Sequence, residues 1–134
     1  MHSSAWFQGC AFFSMLSSLL VTNEPIHVID IGSYNVNGEL RSALLASELT
    51  NSHNVTYTGV DVAVGPNVDV VVGLKDKTYP FPDNHFDVVA SSSALEHDPR
   101  FWMTYLKMLR VLKPGGYMYI GVPHTLFEHR YPVD

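Results

Sequence analysis

The segment 28–38 constrains the fold of this chain more than any other part of its sequence. It opens with the apolar run 28–31, typical of a buried strand with Asp30 inside it, and Gly32 then begins a short polar turn. Residues 39–45 follow at once with good helix formers. A strand, a tight turn and a helix in this order place a small ligand at the carboxyl end of a parallel strand. The segment therefore predicts an α/β protein with a binding site at this turn.

Strand-like and helix-like segments alternate along the rest of the chain. This alternation is typical of a parallel sheet that helices cover on both faces. It predicts a Rossmann-like, doubly wound, mainly parallel sheet in three α/β/α layers. The expected strands are residues 26–32, 55–61, 68–73, 86–92 and 116–122, and the expected helices are 38–49 and 99–112.

The expected helix 99–112 has the clearest boundaries. Asp98 can cap its start, and Pro99 suits its first turn. The Pro-Gly-Gly run at 114–116 then ends it. One apolar face is made by Trp102, Tyr105, Leu106 and Leu109.

Length and composition indicate a single domain comprising residues 1–134. The hydrophobic fraction of 46% is that of a chain with a buried core. The formal net charge of −5 gives no general attraction to polyphosphate, so nucleic acid is not an expected partner. One cysteine, Cys10, excludes an internal disulfide, and a reducing, cytoplasmic location fits best.

The first 21 residues are apolar enough to raise the question of an export signal or a membrane anchor. No Lys or Arg precedes Arg41, however, and Ser and Gln interrupt the apolar stretch. We therefore expect an amphipathic helix within 1–21 that packs on the sheet, and no membrane partner. Its apolar positions, at helical spacing, are Trp6, Cys10, Phe13, Leu16 and Leu20.

The loop after Gly32 bears on the class of ligand. A dinucleotide site would place glycines at two further positions, where this chain has Tyr34 and Asn37. Their bulk argues against a pyrophosphate at the helix start and against a dinucleotide-dependent oxidoreductase. S-adenosylmethionine, which has no phosphate, tolerates them. Asp30 could then hold its ammonium group, while amides around Gly32 and Ser33 could meet its carboxylate.

A second acid supports this interpretation. The apolar strand 57–61 ends in Asp61, 29 positions after Gly32. A carboxylate at that place can accept hydrogen bonds from both hydroxyls of a ribose. An acid at a strand end is otherwise a solvated loop residue.

Four blocks of the chain, in order, resemble class I S-adenosylmethionine-dependent methyltransferases of the type 11-like group. The first two are 28–32 and the acid Asp61. The more specific pair are 79–89, Tyr-Pro-Phe-Pro-Asp-Asn-His-Phe-Asp-Val-Val, and 109–120, which contains Leu-Lys-Pro-Gly-Gly. The resemblance implies the transfer of a methyl group from S-adenosylmethionine to a small-molecule or biosynthetic acceptor. A catalytically silent domain that binds S-adenosylmethionine or a partner chain is the alternative.

The resemblance also implies where the cofactor contacts lie. Tyr34 replaces a common family glycine, so its ring could line the pocket or pack away from it. Leu74 could flank the adenine, with Asp76 as the nearest acid, and short polar side chains could form hydrogen bonds after the fourth expected strand. The full expected set is Asp30, Gly32, Ser33, Tyr34, Asp61, Val62, Leu74, Ser91 and Ser92.

No catalytic side chain is assigned from the sequence. Methyl transfer needs a base only when the acceptor must lose a proton, and His97, His124 and His129 could each serve or could be ordinary loop residues. Glu96 and His97 could instead position a helix start or contact the cofactor edge. The seven histidines and the cysteine show no paired ligand spacing, so no metal is expected.

The carboxyl-terminal end departs from the family pattern. Related chains usually add a sixth and a seventh strand, whereas this chain stops at 131–134. The expectation is a fold truncated after its fifth strand. An uncovered sheet edge of this kind invites a homodimer or a partner chain.

Overall fold

A five-stranded parallel sheet with helices on both faces forms the body of the chain. The computed structural model describes residues 3–35 and 40–123. The strands lie in the order β3-β2-β1-β4-β5, and every neighbouring pair is parallel. The elements are α1 Ser3–Leu19, β1 Ile26–Ile31, α2 Leu40–Leu45, α3 Glu48–Ser52, β2 Val55–Asp61, β3 Val70–Val71, β4 Phe86–Ser92, α4 Phe101–Val111 and β5 Leu112–Gly121. The predicted α/β fold class is confirmed.

The predicted strand boundaries agree best at β2 and β4, which match to the residue. β1 ends one residue before Gly32, and the third expected strand is reduced to Val70–Val71. The fifth begins earlier than expected, at Leu112. The prediction of one continuous helix over 38–49 was wrong, because α2 and α3 are separate helices.

Ser47 lies at the break between α2 and α3. It is fully buried, and its hydroxyl donates to the carbonyl oxygen of Leu44 at 2.6 Å. Because a serine side chain that binds the preceding turn competes with helix continuation, the chain turns here before α3. Asn37 and Gly38, at the start of the expected helix, lie outside the described residues.

Helix α1 packs one apolar face on the sheet, as its spacing predicted. Phe13 and Leu16 are completely buried among side chains of β1, β4 and α2. Near the helix start, the indole nitrogen of Trp6 donates to Ser42 Oγ at 3.0 Å and joins α1 to α2. Within 3–35 and 40–123, no helix has both the length and the apolar character needed to cross a membrane.

Helix α4 covers the opposite face of the sheet. Asp98 fastens its first turn, since Oδ1 accepts from the Arg100 amide at 2.8 Å and Oδ2 accepts from the Thr104 hydroxyl. Met108 and Val111 are completely buried against the sheet, and Lys107 is 9% exposed. The apolar face expected from the spacing points outward: Trp102, Tyr105, Leu106 and Leu109 are 40–57% exposed.

The two most specific sequence blocks meet at the amino edge of the sheet. Asp87 in β4 accepts from the backbone amide of His27 at 2.8 Å, and its other oxygen lies 2.7 Å from Lys113 Nζ. Gly115 has a φ of +76°, and the pairing of β4 with β5 shifts register around it. These motifs therefore fix the packing of β1, β4 and β5, at the edge opposite the expected binding site.

Candidate ligand site at the carboxyl edge of the sheet

The strand order reverses between β1 and β4, and this reversal creates a crevice at their carboxyl ends. From β1 the chain runs outward through β2 and β3, and it then returns to the other side of β1 as β4. Open parallel sheets bind ligands at such switch points. The loops that follow β1, β2, β3 and β4 carry all nine residues expected at the site or adjoin them.

Gly32 lies where the loops after β1 and β4 approach each other closely. Its φ of +78° is a left-handed conformation that side chains disfavour. A Cβ at this position would lie 2.2 Å from Cβ of Ala94, in the loop after β4. Glycine is therefore required both for the turn and for the contact across the crevice.

The backbone amides of Gly32 and Ser33 are directed at β2. Both donate to the carbonyl oxygen of Val60, at 2.8 and 3.1 Å. The Ser33 hydroxyl is buried and donates to the Asn67 carbonyl at 3.0 Å. The expected contact of these two amides with a cofactor carboxylate is thus not preformed, and a ligand would have to compete with Val60 for them.

Asp30 is 3% exposed and is bound by a tyrosine of the neighbouring strand. The Tyr57 hydroxyl donates to Asp30 Oδ2 at 2.5 Å, and it accepts from Asn67 Nδ2 at 3.2 Å. Burial raises the pKa of the Tyr57 phenol far above its usual value, and the negative charge of Asp30 raises it further. Tyr57 therefore remains a neutral donor that satisfies the buried carboxylate.

Tyr57 and Asn67 were not recognised from the sequence. The register places Gly59 opposite Asp30, and the missing side chain leaves room for Asn67 and Ser33 at this point. A Cβ at Gly59 would lie 2.1 Å from the Asn67 carbonyl oxygen. A glycine inside an apolar strand, paired with a buried acid, was the available signal for this arrangement.

Asp61 joins the loops after β1 and β2. Its Oδ2 accepts from the Tyr34 amide at 3.0 Å, and its Oδ1 accepts from the Val62 amide at 2.7 Å. The Ala63 amide also donates to Oδ1, at 3.4 Å. Since two carboxylate oxygens offer about four acceptor positions, about one position is left for a ligand hydroxyl. The Tyr34 ring lies over Gly65, where a Cβ would approach Tyr34 Cε2 to 2.1 Å. The structure thus brings Tyr34, Asp61 and Val62 together.

Leu74 lies in the loop after β3 and is linked to the loop after β4. Its carbonyl oxygen accepts from Arg100 Nη2 at 3.1 Å, while its side chain is 48% exposed. Asp76, the nearest acid to the expected adenine position, accepts from the Gly73 amide at 2.7 Å. Asp76 therefore shapes this loop.

Two buried polar atoms lie at and after the end of β4 without a hydrogen-bond partner: Ser91 Oγ and Glu96 Oε2. The other Glu96 oxygen is 3.9 Å from His97 Nε2. Buried polar atoms in native proteins are nearly always paired, so unpaired ones next to a crevice indicate a ligand or water. Both can accept hydrogen bonds, which fits the ammonium and amino groups of S-adenosylmethionine.

Two of the candidate bases lie outside the description: His124 and His129 belong to 124–134. His97 lies in a short turn of 3-10 helix after β4, at Leu95–His97. Within the described part of the chain, no three His, Cys, Asp or Glu side chains cluster closely enough to hold a metal ion.

The chain belongs to the methyltransferase domain family, whose model matches residues 38–120. This confirms the resemblance on which the cofactor, S-adenosylmethionine, was expected. Among curated proteins, the ubiquinone/menaquinone biosynthesis C-methyltransferase UbiE of Pseudomonas fluorescens is 46% identical over 57 residues. That match covers 42% of this chain and 22% of the relative. The matched segment is therefore a minor part of both chains, and a smaller share of the longer relative.

Solved structures with the same fold include a domain of a polyketide synthase and a carbon methyltransferase. The citrinin polyketide synthase CMeT domain superposes with a TM-score of 0.72 at 17% identity, covering 88% of this chain and 34% of that one. The CurJ carbon methyltransferase gives 0.64 at 15% identity, covering 84% of this chain and 34% of that one. At these identities the likeness establishes the fold.

Proposed function

We propose that this chain binds S-adenosylmethionine at the carboxyl edge of its sheet and transfers the methyl group to a small-molecule or biosynthetic acceptor. The observation that carries the proposal is the crevice between β1 and β4, where Gly32 turns with positive φ against Ala94. Family membership supplies the reaction class. The expected single domain, residues 1–134, is part of this proposal.

The ends of β2, β3 and β4 supply the contacts to the ribose, the adenine and the polar groups in the proposed complex. Asp61 accepts from a ribose hydroxyl at the position that the Tyr34, Val62 and Ala63 amides leave open. The exposed side chains of Val62 and Leu74 cover the apolar faces of the adenine. Ser91 and Ser92 provide polar contacts at the end of β4.

Glu96 joins this set because of its unpaired buried oxygen, which suits a cationic ammonium group. Asp30 is buried and accepts a hydrogen bond from Tyr57, and it adds negative charge for the same ammonium group. When bound, the cofactor supplies an activated methyl group, so the protein contributes mainly orientation. Of the three candidate bases, His97, beside Glu96, is the one that lies within the described residues.

The acceptor class is proposed from the relatives. The Pseudomonas fluorescens protein is named as a C-methyltransferase of ubiquinone and menaquinone biosynthesis, and CurJ as a carbon methyltransferase. A carbon acceptor is thus the first to test. A cytoplasmic location is proposed with it, supported by the single cysteine.

Isothermal titration calorimetry with three ligands tests the cofactor. S-adenosylmethionine and S-adenosylhomocysteine should bind with one site each, and NAD should not bind. Failure of both adenosyl ligands would overturn the proposal, and binding of NAD alone would favour a dinucleotide enzyme. Methyl transfer from labelled cofactor to phenolic and β-dicarbonyl acceptors then separates an enzyme from a silent binding domain.

We further propose that two copies of the chain pair through β5. Among the described strands β5 pairs only with β4, so the backbone groups along its other side have no strand partner in this part of the chain. A strand edge without a partner favours strand addition, and a two-fold axis would pair the regular part of β5, 117–121, antiparallel with itself. Light scattering after size exclusion should give twice the chain mass; a monomer at every concentration would refute the dimer.

A further inference from the structure

The turn 65–69, between β2 and β3, contacts the loop that follows β1. The Asn35 amide of that loop donates to the Pro66 carbonyl oxygen at 3.1 Å. The far end of the turn is fixed to β2, because the Asp69 side chain accepts from the Gly59 amide at 2.7 Å. The Asp69 amide also donates to the Gly59 carbonyl oxygen, at 2.8 Å. The turn therefore ties the loop after β1 to a strand of the sheet.

Asn67, in the middle of this turn, is bound to Ser33 in both directions. Its Nδ2 donates to the Ser33 carbonyl oxygen at 2.9 Å, and its own carbonyl oxygen accepts from the Ser33 hydroxyl at 3.0 Å. Because the Ser33 carbonyl can only accept, it fixes which end of the Asn67 amide faces it. Gly59 leaves room for this pair, since a Cβ there would lie 2.1 Å from the Asn67 carbonyl oxygen and 2.7 Å from Ser33 Oγ.

The same amide determines the direction of the Tyr57 hydroxyl. Asn67 Nδ2 donates to the oxygen of Tyr57 at 3.2 Å. A phenol has one proton to donate, and with an amide bound to its oxygen that proton is directed at Asp30 Oδ2. The side-chain nitrogen of Asn67 thus acts on the Ser33 backbone and, through Tyr57, on the buried carboxylate.

The conformation of Asn67 indicates that its side chain is kept for these two bonds. Its φ of +69° is left-handed, a region that glycine adopts most readily. Its Oδ1 is buried and has no hydrogen-bond partner, which is unfavourable in the folded chain. Glycine would avoid both penalties. The bonds donated by Nδ2 are what asparagine adds at this position.

We propose that Asn67 is a positioning residue of the ligand site. By donating to Ser33 and Tyr57, it holds the loop after β1 and the Asp30 carboxylate in the arrangement that receives the cofactor. Asn67 acts through these residues and need not touch the ligand. The inference rests on the proposed function for the identity of that ligand. It requires donation of hydrogen bonds, so a side chain of the same shape that only accepts cannot replace asparagine.

Calorimetry with S-adenosylhomocysteine on Asn67→Asp tests this requirement. The substitution keeps the shape, but a carboxylate cannot donate to Ser33, and Tyr57 can donate to it instead of to Asp30. We expect the affinity at pH 8 to be about tenfold weaker than in the parent chain. At pH 5 the difference should narrow, because a protonated carboxyl donates again.

The charges around position 67 favour that recovery. Asp30 is buried nearby, and its negative charge favours the protonated form of the new carboxyl group. The opposite charges of Asp69 and Arg41 are paired with each other, and Tyr57 stays neutral. Asn67→Gly removes the donors without adding a charge. It should weaken binding by about threefold, with the pH dependence of the parent chain.

Asn84→Asp is the matched control. Asn84 is also left-handed, with φ +54°, but it lies exposed in the turn before β4. The same exchange there should leave the affinity for S-adenosylhomocysteine unchanged at both pH values. Equal affinities of Asn67→Asp and the parent chain at pH 8, or equal losses in Asn67→Asp and Asn84→Asp, would overturn the positioning role.

Amide hydrogen exchange in the free chain gives a readout that needs no ligand. The amides of residues 33–35 should exchange faster in both Asn67 variants than in the parent chain, and unchanged exchange would contradict the proposal. Should Asn67→Asp fail to fold, Asn67→Gly, which suits the left-handed φ, supplies both measurements. A parent chain that does not bind S-adenosylhomocysteine would overturn the proposed function, and the exchange rates would still decide the role of Asn67.

Discussion

The Tyr57 hydroxyl lies 2.5 Å from Oδ2 of Asp30, and this contact supplies a donor to a carboxylate that is almost completely buried. Replacing Tyr57 with Phe removes that donor and leaves the carboxylate in place. We expect the free energy of unfolding to fall by about 1.5–3 kcal/mol, since the bond involves a charged group. Urea unfolding followed by circular dichroism measures the change. Tyr105→Phe, on the exposed side of α4, is the matched control and should be neutral.

Stability should decline in alkali because of Tyr79. Burial, and then the nearby charge of Asp98, raises the pKa of this phenol well above its usual 10.0. The folded chain keeps the phenolic proton at a pH where the unfolded chain releases it. The unfolding free energy therefore falls as the pH rises past about 10. Urea titrations between pH 8 and pH 11 should give a shallower decline for Tyr79→Phe, and identical slopes would contradict this account.

Gly32→Ala should disrupt the crevice. The substitution combines a disfavoured φ with a Cβ 2.2 Å from that of Ala94, so the loops after β1 and β4 must separate. We expect a loss of at least about 2 kcal/mol in stability together with loss of S-adenosylhomocysteine binding. Gly73→Ala tests specificity, because its nearest neighbour would be an Asp76 oxygen at 3.4 Å. Equal effects of the two variants would refute the proposed contact.

Asp61→Ala should weaken S-adenosylhomocysteine binding by about 1–3 kcal/mol, measured by calorimetry. It removes the proposed ribose acceptor and also the acceptor for the Tyr34 and Val62 amides. Asp83→Ala removes an exposed carboxylate that pairs with Arg110, and it should leave this affinity unaltered. Unchanged binding in Asp61→Ala would exclude Asp61 as the ribose contact.

The strands were predictable from the sequence because apolar runs in a parallel sheet are buried on both faces. β4 matches to the residue for this reason. β2 also matches, although it is buried only at 59–60, because its Val, Thr and Tyr residues favour a strand. The break at Ser47 was not predictable, since it depends on a hydroxyl bonded to Leu44 within the folded core. Spacing defined the apolar face of α4, but Met108 and Val111 fill the sheet contact and turn that face outward.

The site was predictable in position and less so in its contacts. Asp61 and Gly32 follow from strand ends and turn chemistry, which are local properties. The partnership of Asp30 with Tyr57 depends on the register that sets Gly59 opposite the acid, and a single strand does not reveal its register. The engagement of the Gly32 and Ser33 amides by Val60 depends on the same pairing.

The unpaired Ser91 hydroxyl at the end of β4 sets stability against binding. Alanine at this position would remove a buried polar atom without a partner. A chain selected only for stability would therefore have alanine here. Serine makes sense where the occupied state matters more than the empty one. At the end of β4, the stability of the free protein therefore favours alanine, whereas affinity for a ligand favours serine.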